Sequence, residues 1–133
     1  MYDLMIVDDS NIVRNLIKRH CHADQFKLVA TANNGEDAVL KYQAYRPDIV
    51  TMDLTMPRMD GFECIRNLRR IDPYANILVI SALSDELSGL QAIALGARGF
   101  LPKPFTDKQL DQALHMVTQQ LMMNRNAQRC TAA

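Results

Sequence analysis

The chain has 133 residues, 48% of them hydrophobic and 23% charged, enough for one domain built on one core. Its 15 basic and 15 acidic side chains cancel, so no basic field exists to hold nucleic acid by its phosphates. No apolar run approaches the roughly 20 residues that span a bilayer, which speaks against a membrane segment. The start, Met1-Tyr2-Asp3, has no basic-then-apolar leader pattern, and Cys21, Cys64 and Cys130 form no C-x-x-C pair. Together these features predict a cytoplasmic protein with reduced thiols.

In chain order, Leu4-Met5-Ile6-Val7 is a continuous apolar run that ends at Asp8-Asp9. Ser10 is placed to cap a helix in which Val13, Leu16, Ile17 and His20 recur at helical spacing. Phe26 to Thr31 is mixed, with Lys27 inside it, as an edge strand would be. Asn34-Gly35 turns into a second helix through Ala38, Val39 and Tyr42, which stops before Pro47. Ile49-Val50-Thr51-Met52 is apolar apart from Thr51 and runs into Asp53. Asp60-Gly61 opens a third helix carrying Phe62, Ile65 and Leu68, and Pro73 closes it. Ile77 to Ile80 leads to Ser81-Ala82, and Leu87, Leu90 and Ala94 mark a fourth helix ended by Gly96. The short run Gly99-Phe100-Leu101, a second edge strand, leads to Lys103-Pro104. After Asp107, the residues Leu110, Ala113, Leu114, Val117 and Leu121 give the clearest stripe of all. Residues 124–133 are polar and aperiodic, which predicts a flexible tail behind a domain of residues 1–123.

Continuously apolar strands are strands covered on both faces, the habit of parallel sheets flanked by helices. Five strand–helix units therefore predict an α/β fold, a doubly wound five-stranded parallel sheet with five helices and right-handed crossovers. Ligands of such sheets bind outside the carboxyl ends of the strands. In this chain those ends carry Asp8, Asp9, Asp53, Ser81 and Lys103: three carboxylates, a hydroxyl and an ammonium. Singly, each has an ordinary explanation as a turn acid, a strand-end hydroxyl or a loop lysine. Jointly, acids crowded at one edge repel and need positive charge. A hard cation such as Mg2+, with Mn2+ as a substitute, takes carboxylate and carbonyl oxygens, and Lys103 adds an ammonium. A carboxylate beside those groups is arranged to attack phosphorus.

Five ordered motifs then resemble the receiver domain of two-component response regulators, most closely its single-domain, CheY-type form. They are Asp8-Asp9, Asp53-Leu54-Thr55-Met56-Pro57-Arg58-Met59-Asp60-Gly61, Ser81-Ala82, Gly96-Ala97-Arg98-Gly99-Phe100-Leu101 and Pro102-Lys103-Pro104-Phe105. The likeness spans essentially residues 2–123, and the strand order it implies is the flavodoxin-like 2-1-3-4-5; the CheY fold is itself the standard illustration of that order. The resemblance implies that Asp53 is the phosphoacceptor and that Asp9, Asp53 and the Thr55 backbone carbonyl ligate Mg2+, with Asp8 acting through water. It further implies that Lys103, the Ser81 hydroxyl and the Ala82 amide contact the phosphoryl group, and that Phe100 is the switch aromatic. The Lys103-Pro104 bond would be cis.

The implied activity is phosphoryl acceptance from a histidine kinase or phosphotransfer protein, with Mg2+-dependent autophosphorylation and autodephosphorylation only. Output would pass to a protein target through the fourth helix, fifth strand and fifth helix of a monomer, as in chemotaxis signalling. Two departures stand out. Phe100 lacks the hydroxyl of the more usual tyrosine, and neither Thr55 nor Leu83 bears an acid or amide to orient an attacking water. A phosphatase with an aspartate nucleophile is disfavoured because its general acid, two residues on, would be Thr55. A nucleotide or flavin binder is disfavoured because no glycine-rich phosphate loop follows the first strand. The eight methionines read as core filling, and His20, His22 and His115 as structural or solvated.

Overall fold

The computed structural model describes residues 1–21, 24–83 and 85–132, with side chains through Ala127. Strands and helices alternate strictly: β1 (Tyr2–Val7), α1 (Asn11–His20), β2 (Phe26–Ala32), α2 (Gly35–Tyr45), β3 (Ile49–Met52), α3 (Gly61–Ile71), β4 (Ile77–Ser81), α4 (Glu86–Ala94), β5 (Gly99–Pro102) and α5 (Asp107–Ala132). The five strands form one parallel sheet in the order β2-β1-β3-β4-β5. The fold is therefore the doubly wound parallel sheet expected from the apolar runs, in the flavodoxin-like order that the receiver resemblance implies.

Why those runs are unbroken is visible in the two cores. Successive strand residues point to opposite faces. Met5, Val7, Val50, Met52, Ile77 and Val79 face one way and pack with Ala38, Tyr42, Ile65 and Leu68 of α2 and α3. Leu4, Ile6, Ile49, Leu78 and Ile80 face the other way and meet Ile17 of α1 and Leu110, Leu114, Val117 and Leu121 of α5. A polar residue at any of these positions would face helix, not water. The two edge strands are the mixed ones, and Lys27 on β2 is exposed.

Helix starts follow side-chain capping. Ser10, Asn34, Asp60 and Asp85 each accept from a backbone N–H three residues on. Thr106 and Gln109 cap α5 reciprocally, the Thr106 hydroxyl accepting from the Gln109 N–H while the Gln109 side chain accepts from the Thr106 N–H.

Two features go beyond what the periodicity predicts. The Leu87, Leu90 and Ala94 stripe does mark α4, but it faces outward, with Leu87 78% and Leu90 60% exposed. The residue that α4 buries is Ala92, with Leu95 packed at the core's rim, so small residues set how closely this helix approaches the sheet. Beyond the last residue of the expected domain, residues 124–132 continue α5 as helix. Nothing after Thr106 is glycine or proline, and Arg125 reaches back to the Asp48 carboxylate and lies 6.0 Å over the Tyr2 ring. His20 pairs with Asp107 at 2.9 Å and His115 is exposed, while His22 lies outside the described residues. Among the described residues no helix is long and apolar enough to cross a membrane.

Candidate functional site

Each residue singled out at the carboxyl edge sits at or just past a strand end. Backbone hydrogen bonds carry the sheet ladder across the gap. The Asp8 N–H donates to Ala32 O at 3.0 Å, the Asp53 N–H to Val7 O at 3.0 Å, and the Lys103 N–H to Ser81 O at 2.9 Å. These side chains are thus held by the sheet and not by loops, which is the rigidity that a reacting group needs.

The edge converges. One carboxylate oxygen from each of Asp8, Asp9 and Asp53 falls within 4.8 Å of the others. Asp8 and Asp53 are buried at 1% and 2% exposure, whereas Asp9 is open to solvent. Lys103 Nζ donates to Asp8 Oδ2 at 2.8 Å and lies 3.5 Å from Asp53 Oδ2. The ammonium therefore stands closer to Asp8 than to Asp53. Asp8 Oδ1 also accepts from the Ser10 N–H at 2.9 Å, and the Arg14 guanidinium donates to the Asp8 carbonyl. Asp53 Oδ1 has weaker support, from the Thr55 N–H at 3.3 Å and the Thr55 hydroxyl at 3.5 Å.

Electrostatics follow from this inequality. Burial, and then the neighbouring Asp8 charge, push the Asp53 carboxyl above its ordinary value; Lys103 and the Thr55 N–H oppose that shift, and Asp9 adds to it. Three acids sharing one ammonium form a site short of positive charge. The donor set, all hard oxygen, fits a small divalent cation, which would relieve that shortage.

Around this centre, Ser81 is fully buried, and its Oγ accepts from the Leu83 N–H at 3.2 Å, so its proton is available to a further acceptor. Ala82 is exposed immediately after it. The Lys103-Pro104 peptide is cis. Phe100, half-buried on β5, lies against α4, where a Cβ built on Gly89 would meet its ring at 3.9 Å. Thr55 is exposed at the rim.

Sequence reasoning missed two supports. Arg14 is a polar member of an amphipathic helix, and nothing in its spacing announces that it grips the Asp8 carbonyl. Gly61 is the other. A Cβ there would lie 2.6 Å from Leu54 Cα and press on the Asp53 carbonyl, so α3 can start this close to the acceptor loop only with glycine. The Gly61 N–H donates to Leu54 O at 2.9 Å, closing the loop. The Asp60-Gly61 pair, seven and eight residues after Asp53, was the available signal.

Sheet order, helix coverage and an acidic carboxyl edge define a receiver. Residues 4–115 match the family model described as the response regulator receiver domain, and the chain belongs to that family. Among curated proteins it is 39% identical over 115 residues to the chemotaxis protein CheY of Thermotoga maritima, covering 86% of this chain and 96% of that one. It is 40% identical over 118 residues to CheY of Bacillus subtilis, covering 89% and 96%. Among solved structures, the CheX-CheY-BeF3-Mg complex from Borrelia burgdorferi contains a chain 34% identical with a TM-score of 0.85, covering 88% of this chain and 89% of that one. The protein is a CheY-like response regulator of two-component signalling.

Proposed function

We propose that Asp53 is the phosphoacceptor and that the protein takes a phosphoryl group from the phosphohistidine of a sensor histidine kinase or phosphotransfer protein. The observation that carries this reading is the placement of Asp53. It is buried, short of compensating charge, fixed by the Val7 carbonyl, and within reach of Lys103. An Asp53 carboxylate oxygen attacks phosphorus as the bond from phosphorus to the donor nitrogen breaks, and the histidine leaves with its electron pair. Lys103 stands beside both Asp8 and Asp53 and donates to a phosphoryl oxygen once it arrives. The buried Ser81 hydroxyl and the Ala82 amide supply further donors. Asp9, Asp53 and the Thr55 carbonyl would hold Mg2+, with Asp8 acting through water. When bound, that ion supplies positive charge against the phosphoryl oxygens. Neither Thr55 nor Leu83 carries an acid or amide to orient an attacking water, and the catalysis is self-directed phosphotransfer and autodephosphorylation only.

Signalling then rests on protein contact in the cytoplasm. The outward apolar residues of α4, Leu87, Leu90 and Ile93, support a protein target that docks on α4, β5 and α5 of a monomer. Donation by Ser81 to the phosphoryl group draws β4's end inward and opens space for the Phe100 ring, and burial of a ring is worth roughly 1.5–3 kcal/mol. Complete inversion of an equilibrium needs about 5.5 kcal/mol, so the shift is partial.

The test is acetyl phosphate with Mg2+, in which Asp53 displaces acetate from phosphorus. Wild type gains one phosphate by intact mass and Asp53→Asn gains none; equal labelling of both would overturn the assignment. Beryllofluoride with Mg2+ should move amide shifts from Ser81 through Phe105, and changes confined to the loops of Asp9, Asp53 and Lys103 would refute the switch.

A further inference from the structure

Gly35, the first residue of α2, is buried against the loop that follows Asp53, and it belongs to none of the motifs that define the site. A Cβ built on it would lie 2.5 Å from Met59 O, 2.6 Å from Met59 Cβ and 2.8 Å from Met59 Cγ. The first two atoms belong to the backbone or branch directly from it, so they cannot swing aside as the tip of a flexible side chain can. The φ of Gly35 lies outside the left-handed region, and the constraint is one of space alone.

Neither partner can yield cheaply. On the α2 side, Asn34 Oδ1 caps the helix through the Asp37 N–H at 2.9 Å, and the Gly35 carbonyl accepts from the buried Cys64 thiol at 3.7 Å. On the loop side, the Met59 N–H donates to Pro57 O at 2.8 Å and Asn67 Nδ2 donates to Met59 Sδ at 3.3 Å. Arg58, just before, holds a left-handed φ of 69°, a conformation already costly for a residue with a side chain. Two residues after Met59, Gly61 pins the loop's other end against Leu54 and the Asp53 carbonyl. The segment is thus gripped at Met59 by α2 and at Gly61 by α3. The short chain from Met59 back through Met56 and Thr55 is the covalent route by which a push there reaches Asp53.

We propose that Gly35 is a positioning residue for Asp53, acting through Met59. The missing Cβ lets α2 seat the acceptor loop so that the Asp53 carboxylate and the Thr55 carbonyl face Asp9 and Lys103. This inference rests on the phosphoacceptor reading above, and it assigns Gly35 no contact with the phosphoryl group.

The experiment compares full-length wild type and Gly35→Ala by the rate of acetyl phosphate labelling with Mg2+, by thermal melting, and by backbone amide shifts. Well below both melting temperatures, Gly35→Ala should label about 10- to 100-fold more slowly, the scale expected for a small misplacement of a reacting group. Its amide shifts should move from Asp53 to Gly61. A lowered melting temperature with a wild-type labelling rate would overturn the proposal, because a merely structural glycine would give that pattern. If Gly35→Ala does not fold, Met59→Ala removes Cγ and the thioether that Asn67 holds while leaving Met59 O and Cβ against Gly35; it loosens the loop's seat on α2 and should slow labelling, and a wild-type rate there overturns the proposal. If wild type itself takes no label, the phosphoacceptor reading fails separately. Positioning is then decided by the shifts, with unmoved Asp53 and Thr55 amides in Gly35→Ala counting against it.

Discussion

At the amino end of the sheet, Asp48 sits just before β3 with both carboxylate oxygens satisfied, one by the Asp3 N–H at 2.8 Å and the other by Arg125. Nearby Asp72 accepts from the Tyr74 N–H at 2.9 Å and from the Tyr42 hydroxyl at 3.5 Å. Burial and that same carboxylate push the Tyr42 phenol up to about 12, so it remains a donor at neutral pH. At the carboxyl end, three acids share one ammonium, and of the two that are buried Asp53 has the weaker support. The same residue type therefore stabilises one end and strains the other. Buried acids left short of donors lie at the end where a ligand would supply what is missing, which is the usual mark of a functional edge.

The sharpest way to break the contrast is to remove the shared ammonium. Lys103→Ala should slow acetyl phosphate labelling about 100-fold or more, the scale of losing one charge-stabilising donor. Its melting temperature should also fall without metal, because Asp8 and Asp53 then face each other unrelieved, and Mg2+ should restore much of the loss. An unchanged labelling rate would remove Lys103 from the site.

Opposite signs at the two ends should follow from neutralising one acid at each. The Asp53 carboxyl is held above its ordinary value, so the folded protein binds that proton more tightly than the unfolded chain does. Ionising it costs stability as pH rises through and above the ordinary carboxylate range. Asp53→Asn should therefore melt higher than wild type at pH 7 without metal, by a few degrees. For a domain of this size ~1 kcal/mol corresponds to roughly 4 °C. The gain should shrink below about pH 4, where the carboxyl is protonated in both states. Asp48→Ala, by contrast, abandons the Asp3 N–H and should cost about 1–2 kcal/mol at pH 7. Melting shifts of the same sign in both variants would refute the distinction.

Metal should act on one end only. Mg2+ at ten times its dissociation constant should stabilise wild type by about 1.4 kcal/mol, through binding to the folded state alone. Asp9→Ala should lose that shift and Asp48→Ala should keep it. The smallest effect belongs to Arg125→Ala, where an exposed ion pair contributes under about 1 kcal/mol. A larger loss would mean that the last turns of α5 stabilise the fold beyond this one contact.

Much of this molecule was legible one residue at a time. Strand runs such as Ile77 to Ile80 announce themselves because a parallel strand is buried on both faces and is almost wholly apolar. Asp8, Asp9, Asp53, Ser81 and Lys103 could be grouped because a parallel sheet brings all its carboxyl ends to one edge. Helix starts were legible at Ser10, Asn34 and Asp60 because a capping side chain acts within its own turn. What depended on residues far apart was not. The α4 periodicity located a helix but not its inward face, since small Ala92 packs inside while Leu87 and Leu90 stay outside, and only the sheet's position separates the two. The continuation of α5 past Met123 is helped by Arg125 meeting Asp48 and Tyr2, residues distant in sequence. The nearer approach of Lys103 to Asp8 than to Asp53 and the close fit of Gly35 on Met59 likewise came only from the assembled fold. Local patterns carry burial and capping because those are settled within a strand or a turn. Distances between elements are settled by packing, to which every neighbour contributes at once.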